Sequence, residues 1–218
     1  METYTYDILY LILAKNMKKL IFATHNNGKL EEMRQILSGL PLEVISAEEA
    51  GVFEDPEETG ETFAENALLK AKFVTAQTGE WSVADDSGLC IAALNGQPGV
   101  KTARWAGKGA SGKELVEFTI QKLFGVPENK RQAYFESVAA LVGPNGEEQI
   151  FTGKIAGSIA LAPMGEAHEK LPYDAVFIPE GSDATFAQIP AEVKNAMSHR
   201  GLAFKQLRNW LEQVTANI

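Results

Sequence analysis

Strands and helices in one domain of two lobes are what this chain is expected to form, and three features point to it. Short apolar runs ended by polar residues recur along the sequence and alternate with amphipathic stretches of helical period. Nothing between them has the composition of a flexible linker, an internal repeat or a low-complexity tract, so a single domain is expected. The 218 residues are enough for one large domain or for two small lobes around a cleft.

Composition removes several classes of function. Hydrophobic residues at 45% and charged residues at 22% are ordinary for a soluble globular protein. A formal net charge of -9 argues against a nucleic-acid-coating surface, so no nucleic-acid partner is expected. A few placed lysines and arginines can still build a local positive pocket for a small ligand's phosphates. The single cysteine, Cys90, excludes an internal disulfide and a cysteine-based zinc site, and a reducing cytoplasm is the simplest inference. The apolar run from Ile8 to Ala14 is too short to span a bilayer and lacks the basic front of a signal peptide, so no membrane partner is expected. Residues 1–16 read as an N-terminal extension, and the domain is expected over 17–218, with Met17 preceding its first strand.

Lys19 to Thr24 reads as a buried strand. His25-Asn26-Asn27-Gly28-Lys29 follows, then a helix with Leu30, Met33 and Leu37 on one face. Strand, polar loop, helix aims backbone N–H groups and the positive end of the helix dipole at the loop, and Lys29 adds a point charge. The glycine spacing is not that of a Walker A loop, and a plain turn with asparagine capping accounts for the segment equally well. Leu42 to Ser46 is a second short strand, and the acidic residues 48–61 read as a solvated loop. Thr62 to Gln77 is a helix opened by a Thr62–Glu65 capping box.

Trp81 to Ala84 reads as a strand that delivers Asp85 and Asp86 to its end, with turns at Ser87-Gly88 and again at Asn95 to Gly99. Burying two adjacent carboxylates costs several kcal/mol (order ~3 or more) unless a cation or donor offsets the charge. Paired acids at a strand end suit a hard metal facing a phosphate; they equally suit a loop whose aspartates cap local N–H groups. Lys113 to Phe124 is an amphipathic helix, and Ala133–Val142 with Gln149–Ile159 makes a hairpin about the Gly143–Gly146 turn, suited to a structural or dimer role. Leu171 to Pro179 carries Tyr173 and Asp174 into another short strand, and Pro190 to Lys194 reads as one helical turn. Ser198 caps the last helix, whose apolar face is Ala203, Leu207, Trp210, Leu211 and Val214. His199 and Arg200 fall in its first turn, where cationic groups oppose the dipole. Either they await a partner absent from the sequence, or they are exposed and indifferent.

Taken together, these segments resemble the Ham1/RdgB (ITPase) family of nucleoside triphosphate pyrophosphatases. Thr24-His25-Asn26-Asn27-Gly28-Lys29 resembles its T-x-N-x-x-K phosphate loop. Glu58-Thr59-Gly60 with Thr62-Phe63 and Glu65 to Ala71 resembles E-T-G…T-F-x-E-N-A-x-x-K-A. Ala84-Asp85-Asp86-Ser87-Gly88-Leu89, with Gly96 to Val100 and Ala103-Arg104, is similar to A-D-D-S-G-L…G-x-P-G-V-x-S-A-R. Lys194 to Arg200 is similar to K-x-x-x-S-H-R. The resemblance spans roughly residues 18 to 212. One segment departs: where the family has G-F-G-Y-D-P, Leu171-Pro172-Tyr173-Asp174-Ala175 keeps only the Tyr-Asp pair, and Gln188 replaces a glutamate.

The resemblance implies an α/β fold, with a mixed twisted sheet and flanking helices, two lobes around a central cleft, and a homodimer. It implies hydrolysis of non-standard purine nucleoside triphosphates (dITP/ITP, XTP) to the monophosphate and pyrophosphate. A small-molecule nucleotide is the implied partner and Mg²⁺ the implied cofactor, held by Glu58 and Asp86, with Asp86 also the general base. Asp85 is left between a second ligand and an electrostatic support. Substrate contacts are expected from Thr24, His25, Asn26, Asn27, Gly28, Lys29, Lys70, Ser87, Leu171, Pro172, Tyr173, Asp174, Lys194, His199 and Arg200. Donors on His199 and Arg200 would accept a 6-keto purine and leave themselves unpaired against a 6-amino one, at about 1–3 kcal/mol per group. Asp174 adds an acceptor for the ring N1–H. Two alternatives stand beside this reading: a non-catalytic purine-nucleotide-binding module that binds without turnover, and a related pyrophosphatase acting on other modified nucleotides.

Overall fold

Strand β1 (Lys19–Phe22) shows why helices are needed on two faces. Its side chains alternate, Leu20 and Phe22 entering one apolar cluster and Ile21 another, so the strand is buried on both sides. The computed structural model describes residues 17–165, 171–190, 193–194 and 197–216. The extension expected over residues 1–16 lies outside them, as does part of the turn expected over 190–194.

The elements that follow are α1 (Asn27–Ile36), β2 (Glu43–Ser46), α2 (Phe63–Thr78), β3 (Ser82–Ile91), α3 (Gly112–Lys122), β4 (Gln132–Val142), β5 (Glu148–Ile159), β6 (Phe177–Pro179) and α4 (His199–Ala216). Among the described residues, six strands form one mixed sheet in the order β2-β1-β3-β4-β5-β6. β1 runs parallel to β2, with Leu20 opposite Val44, and parallel to β3, with Phe22 opposite Val83. β5 runs antiparallel to β6, with Ser158 opposite Ile178. Among the described residues, no helix is long and apolar enough to cross a membrane.

The chain divides into two compact units. Among the described residues, unit 1 comprises 17–86, 138–152 and 203–216. One face of its strands is covered by α1 and α4 through Met33, Leu37, Phe204, Leu207 and Leu211, with Phe22 and Phe204 edge to face at 5.6 Å. The other face is covered by α2 through Ala71 and Val74. The capping box read from Thr62 and Glu65 is formed: Glu65 N donates to Thr62 Oγ1, and Thr62 N donates to Glu65 Oε2.

Unit 2 comprises the described residues within 87–137 and 153–202. Its core gathers Leu89, Ile91, Leu115, Phe135, Ile159, Val176, Phe177 and Phe186. Gly157 lets β5 approach β6 closely, since a Cβ there would lie 2.3 Å from the Ile178 carbonyl oxygen. Arg131 is buried and donates to the carbonyls of Leu123, Val126 and Ala160, closing the end of α3.

Three boundaries differ from expectation. β3 does not stop at Ala84 but runs on through Asp85-Asp86-Ser87-Gly88 to Ile91, because buried Leu89, Cys90 and Ile91 continue the strand beyond the acids. α1 begins at Asn27, so Gly28 and Lys29 lie in its first turn rather than in a loop. Pro172–Ala175 is a short 3₁₀ turn, and only Phe177–Pro179 is strand.

Candidate active site

Side chains that follow one another in a strand leave from opposite faces. Asp85 and Asp86 are therefore separated by the backbone that joins them, and each meets its own lysine within unit 1. Lys29 Nζ, delivered by the first turn of α1, lies 2.9 Å from both carboxylate oxygens of Asp85, which is only 3% exposed. Lys70 Nζ, on α2, lies 3.0 Å from Glu58 Oε1 and 3.5 Å from Asp86 Oδ1. The Asp85 carboxylate is thus the counter-ion of Lys29.

A fully buried amide completes the cluster. Asn66 Nδ2 donates to Asp86 Oδ2 at 3.2 Å, while its Oδ1 accepts from Gly60 N at 2.8 Å. Gly60 must be glycine for this approach, since a Cβ there would lie 2.6 Å from Asn66 Oδ1 and 2.7 Å from Glu65 Cβ. The segment that carries Glu58 is thus tied to Asp86 through one side chain. Sequence reasoning passed over Asn66 as a motif letter. Its signal was a polar residue on the inward stripe of α2, between Phe63 and Lys70.

Burial and the neighbouring charges set the protonation of the pair. Burial pushes the Asp86 carboxyl above its usual range; Lys70 and Asn66 oppose this, and Glu58 and Asp85 add to it. Burial works against the Lys70 charge, but the Asp86, Asp85 and Glu58 carboxylates outweigh it and raise the ammonium's pKa. Among the described residues, Glu58 and Asp86 share the Lys70 ammonium, while Asp85 meets that of Lys29. Among the described residues, no three His, Cys, Asp or Glu side chains are gathered as a ready metal cage. The donor chemistry nonetheless fits a hard divalent cation, because Glu58 and Asp86 converge on a single positive charge.

The asparagine capping expected in the segment Thr24 to Lys29 is formed. Asn26 Oδ1 accepts from Gly28 N at 2.9 Å and from Lys29 N at 3.2 Å, and Asn26 N donates to Thr24 Oγ1 at 3.1 Å. These amides already have local partners, so a phosphate binding them would displace the Asn26 side chain. His25 Nε2 lies 3.3 Å from Asp55 Oδ1, and Asn27 is exposed.

The remaining expected residues lie in unit 2. Ser87 follows Asp86 in β3 and is half-buried. Tyr173 is packed in the core and donates its hydroxyl to Thr102 O at 2.8 Å; burial raises the pKa of that phenol. Pro172 is buried with it, while Leu171 is 49% exposed. Asp174 is ion-paired with Lys194, whose Nζ sits 5.7 Å above the Phe186 ring. His199 and Arg200 open α4, and Ser198 Oγ accepts from Gly201 N at 3.0 Å as an N-cap does. The Gln188 departure has a local explanation. Its Oε1 accepts from Thr185 N at 3.0 Å, a turn contact that an amide oxygen makes as well as a carboxylate.

Comparison with known proteins gives the motifs their context. Residues 20–210 match the model of the Ham1 family. The dITP/XTP pyrophosphatase of Porphyromonas gingivalis is 45% identical over 195 residues, covering 89% of this chain and 98% of that protein. The dITP/XTP pyrophosphatase of Streptomyces coelicolor is 43% identical, covering 88% of this chain and 96% of that one. Among solved structures, a HAM1 protein from Coxiella burnetii superposes with a TM-score of 0.85 at 39% identity, over 90% of this chain and 100% of that chain.

Proposed function

Because the chain belongs to the Ham1 family, we infer that it is a nucleoside triphosphate pyrophosphatase that hydrolyses dITP, ITP and XTP to the monophosphate and pyrophosphate. The observation that carries the reading is the pairing in unit 1 of Lys70 with Glu58 and Asp86 beside that of Lys29 with Asp85.

Unit 1 carries the groups for the phosphates. Lys29 and Lys70 exchange carboxylate oxygens for phosphate oxygens, with Thr24 to Gly28 lining the same segment. Glu58 and Asp86 are the residues that would hold a divalent metal, Mg²⁺ in our reading. Bound there, the metal supplies charge neutralisation on phosphate oxygens and a water of lowered pKa. Asp86 accepts the proton of the attacking water. Unit 2 carries the groups for the base. Asp174, with Lys194 beside it, accepts from N1–H, and His199 and Arg200 donate to a keto oxygen at position 6. Adenine offers an amine at position 6 and no N1–H, so it mismatches both.

The single cysteine supports a cytoplasmic location, the net charge of -9 speaks against a nucleic-acid partner, and the family resemblance supports a homodimer. The purified protein with Mg²⁺ and ITP should release pyrophosphate; release of orthophosphate alone defeats the assignment. Competition among ITP, XTP, GTP and dUTP then sets the preferred base.

A further inference from the structure

One contact in unit 2 has no role in that account. Phe135, on β4, belongs to none of the motifs, yet its ring lies flat against the His199 imidazole, with centroids 5.0 Å apart and planes 12° from parallel. Phe135 is itself wedged: the Phe177 ring is 4.7 Å away and tilted, and the Phe186 ring is 6.3 Å away and nearly parallel. Phe186 in turn underlies Lys194, the partner of Asp174. Two of the polar groups assigned to the base, His199 directly and Asp174 through Lys194, are therefore backed by one aromatic block in the core of unit 2.

The cap fixes only part of the His199 geometry. Ser198 holds the helix start, and so the His199 Cα, but the second side-chain torsion of histidine is broad and roughly two-fold when nothing restrains it. That torsion decides where a ring N–H points. A donor that swings freely satisfies a keto oxygen in only a fraction of its orientations, and discriminates correspondingly less against an amine. Parallel stacking on a buried ring removes most of that freedom.

We propose that Phe135 is a positioning residue for base selection: it holds the His199 ring in the plane from which its N–H reads a 6-keto group. The proposal rests on the nucleotide reading above and extends it to a residue that touches neither phosphate nor metal.

The test compares the wild type with Phe135→Leu, which keeps an apolar side chain but removes the ring, and Phe135→Tyr, which keeps the ring. The readout is kcat/KM for ITP divided by kcat/KM for ATP. Phe135→Leu should lower that ratio about three- to tenfold, the range of one aromatic pair, through a raised KM for ITP rather than a lowered kcat. Phe135→Tyr should restore it. A merely structural role for Phe135 moves both substrates together and leaves the ratio unchanged. An unchanged ratio in Phe135→Leu, with a lowered ratio in His199→Ala, overturns the platform while the functional reading stands. Absence of pyrophosphate release from ITP by the wild type overturns that reading and the proposal with it. A second measurement needs no core substitution. In the proton spectrum of the wild-type chain, the His199 ring signals, assigned by their loss in His199→Ala, should lie upfield of free histidine through the Phe135 ring current. Unshifted signals would reject the stack in solution, and the proposal with it.

Discussion

Replacing Asn66 by alanine should cut the tie between the Glu58 segment and Asp86, and the structure sets the size of the effect. Asn66 is 0% exposed and makes two hydrogen bonds. The bond to the Asp86 carboxylate is charge-assisted, worth about 1.5–3 kcal/mol, and the bond from Gly60 N adds about 0.5–1.5 kcal/mol. Gly60 and Asp86 are both half-buried, so water replaces part of what is lost, and a net cost of about 2–3 kcal/mol is expected. With a urea dependence of about 2–3 kcal/mol per molar, the unfolding midpoint should fall by about 1 M. Gly60→Ala attacks the same tie from the other side, because its Cβ would overlap Asn66 Oδ1 at 2.6 Å. The double variant should therefore cost less than the sum of the two single changes. A midpoint shift for Asn66→Ala under about 0.2 M, or strict additivity in the double variant, refutes the argument that one side chain links the two segments.

Three further outcomes are expected. Asp86→Asn should lower pyrophosphate release by about 10²- to 10⁴-fold while calorimetry still detects ITP binding; near-normal turnover would assign the base elsewhere. Lys29→Met should destabilise the protein by about 2–4 kcal/mol in urea unfolding at pH 7, because it strands a carboxylate that is 3% exposed. Adding Asp85→Asn should recover most of that loss, and a double variant no more stable than Lys29→Met would show that the pair does not matter. Chelation with EDTA should abolish pyrophosphate release and added Mg²⁺ should restore it; undiminished release in EDTA would remove Glu58 and Asp86 from the role of metal holders.

The elements most legible in the chain were those written in local pattern. The alternation in Leu20 to Phe22, the Thr62–Glu65 box and the stripe Ala203, Leu207, Leu211, Val214 all depend on residues a few positions apart, and all appear as expected. The order of the motifs carried the family and the reaction class, and the comparisons agree. The length of β3 was not legible. Asp-Asp-Ser-Gly reads as a break on propensity, but the strand continues because apolar residues beyond the acids are buried.

The cleanest division runs through the acid pair. The likeness of the ordered motifs to those of the family implied that Asp85, Asp86, Glu58, Lys29 and Lys70 belong to one chemistry. Folding settled which charge answers which: Lys29 meets Asp85 across 56 positions of chain, whereas Lys70 meets Glu58 and Asp86. The reason is geometric. A strand sends neighbouring side chains to opposite faces, and the partner of each depends on which helix covers that face, a choice made by the packing of α1 and α2 rather than by any run of nearby residues.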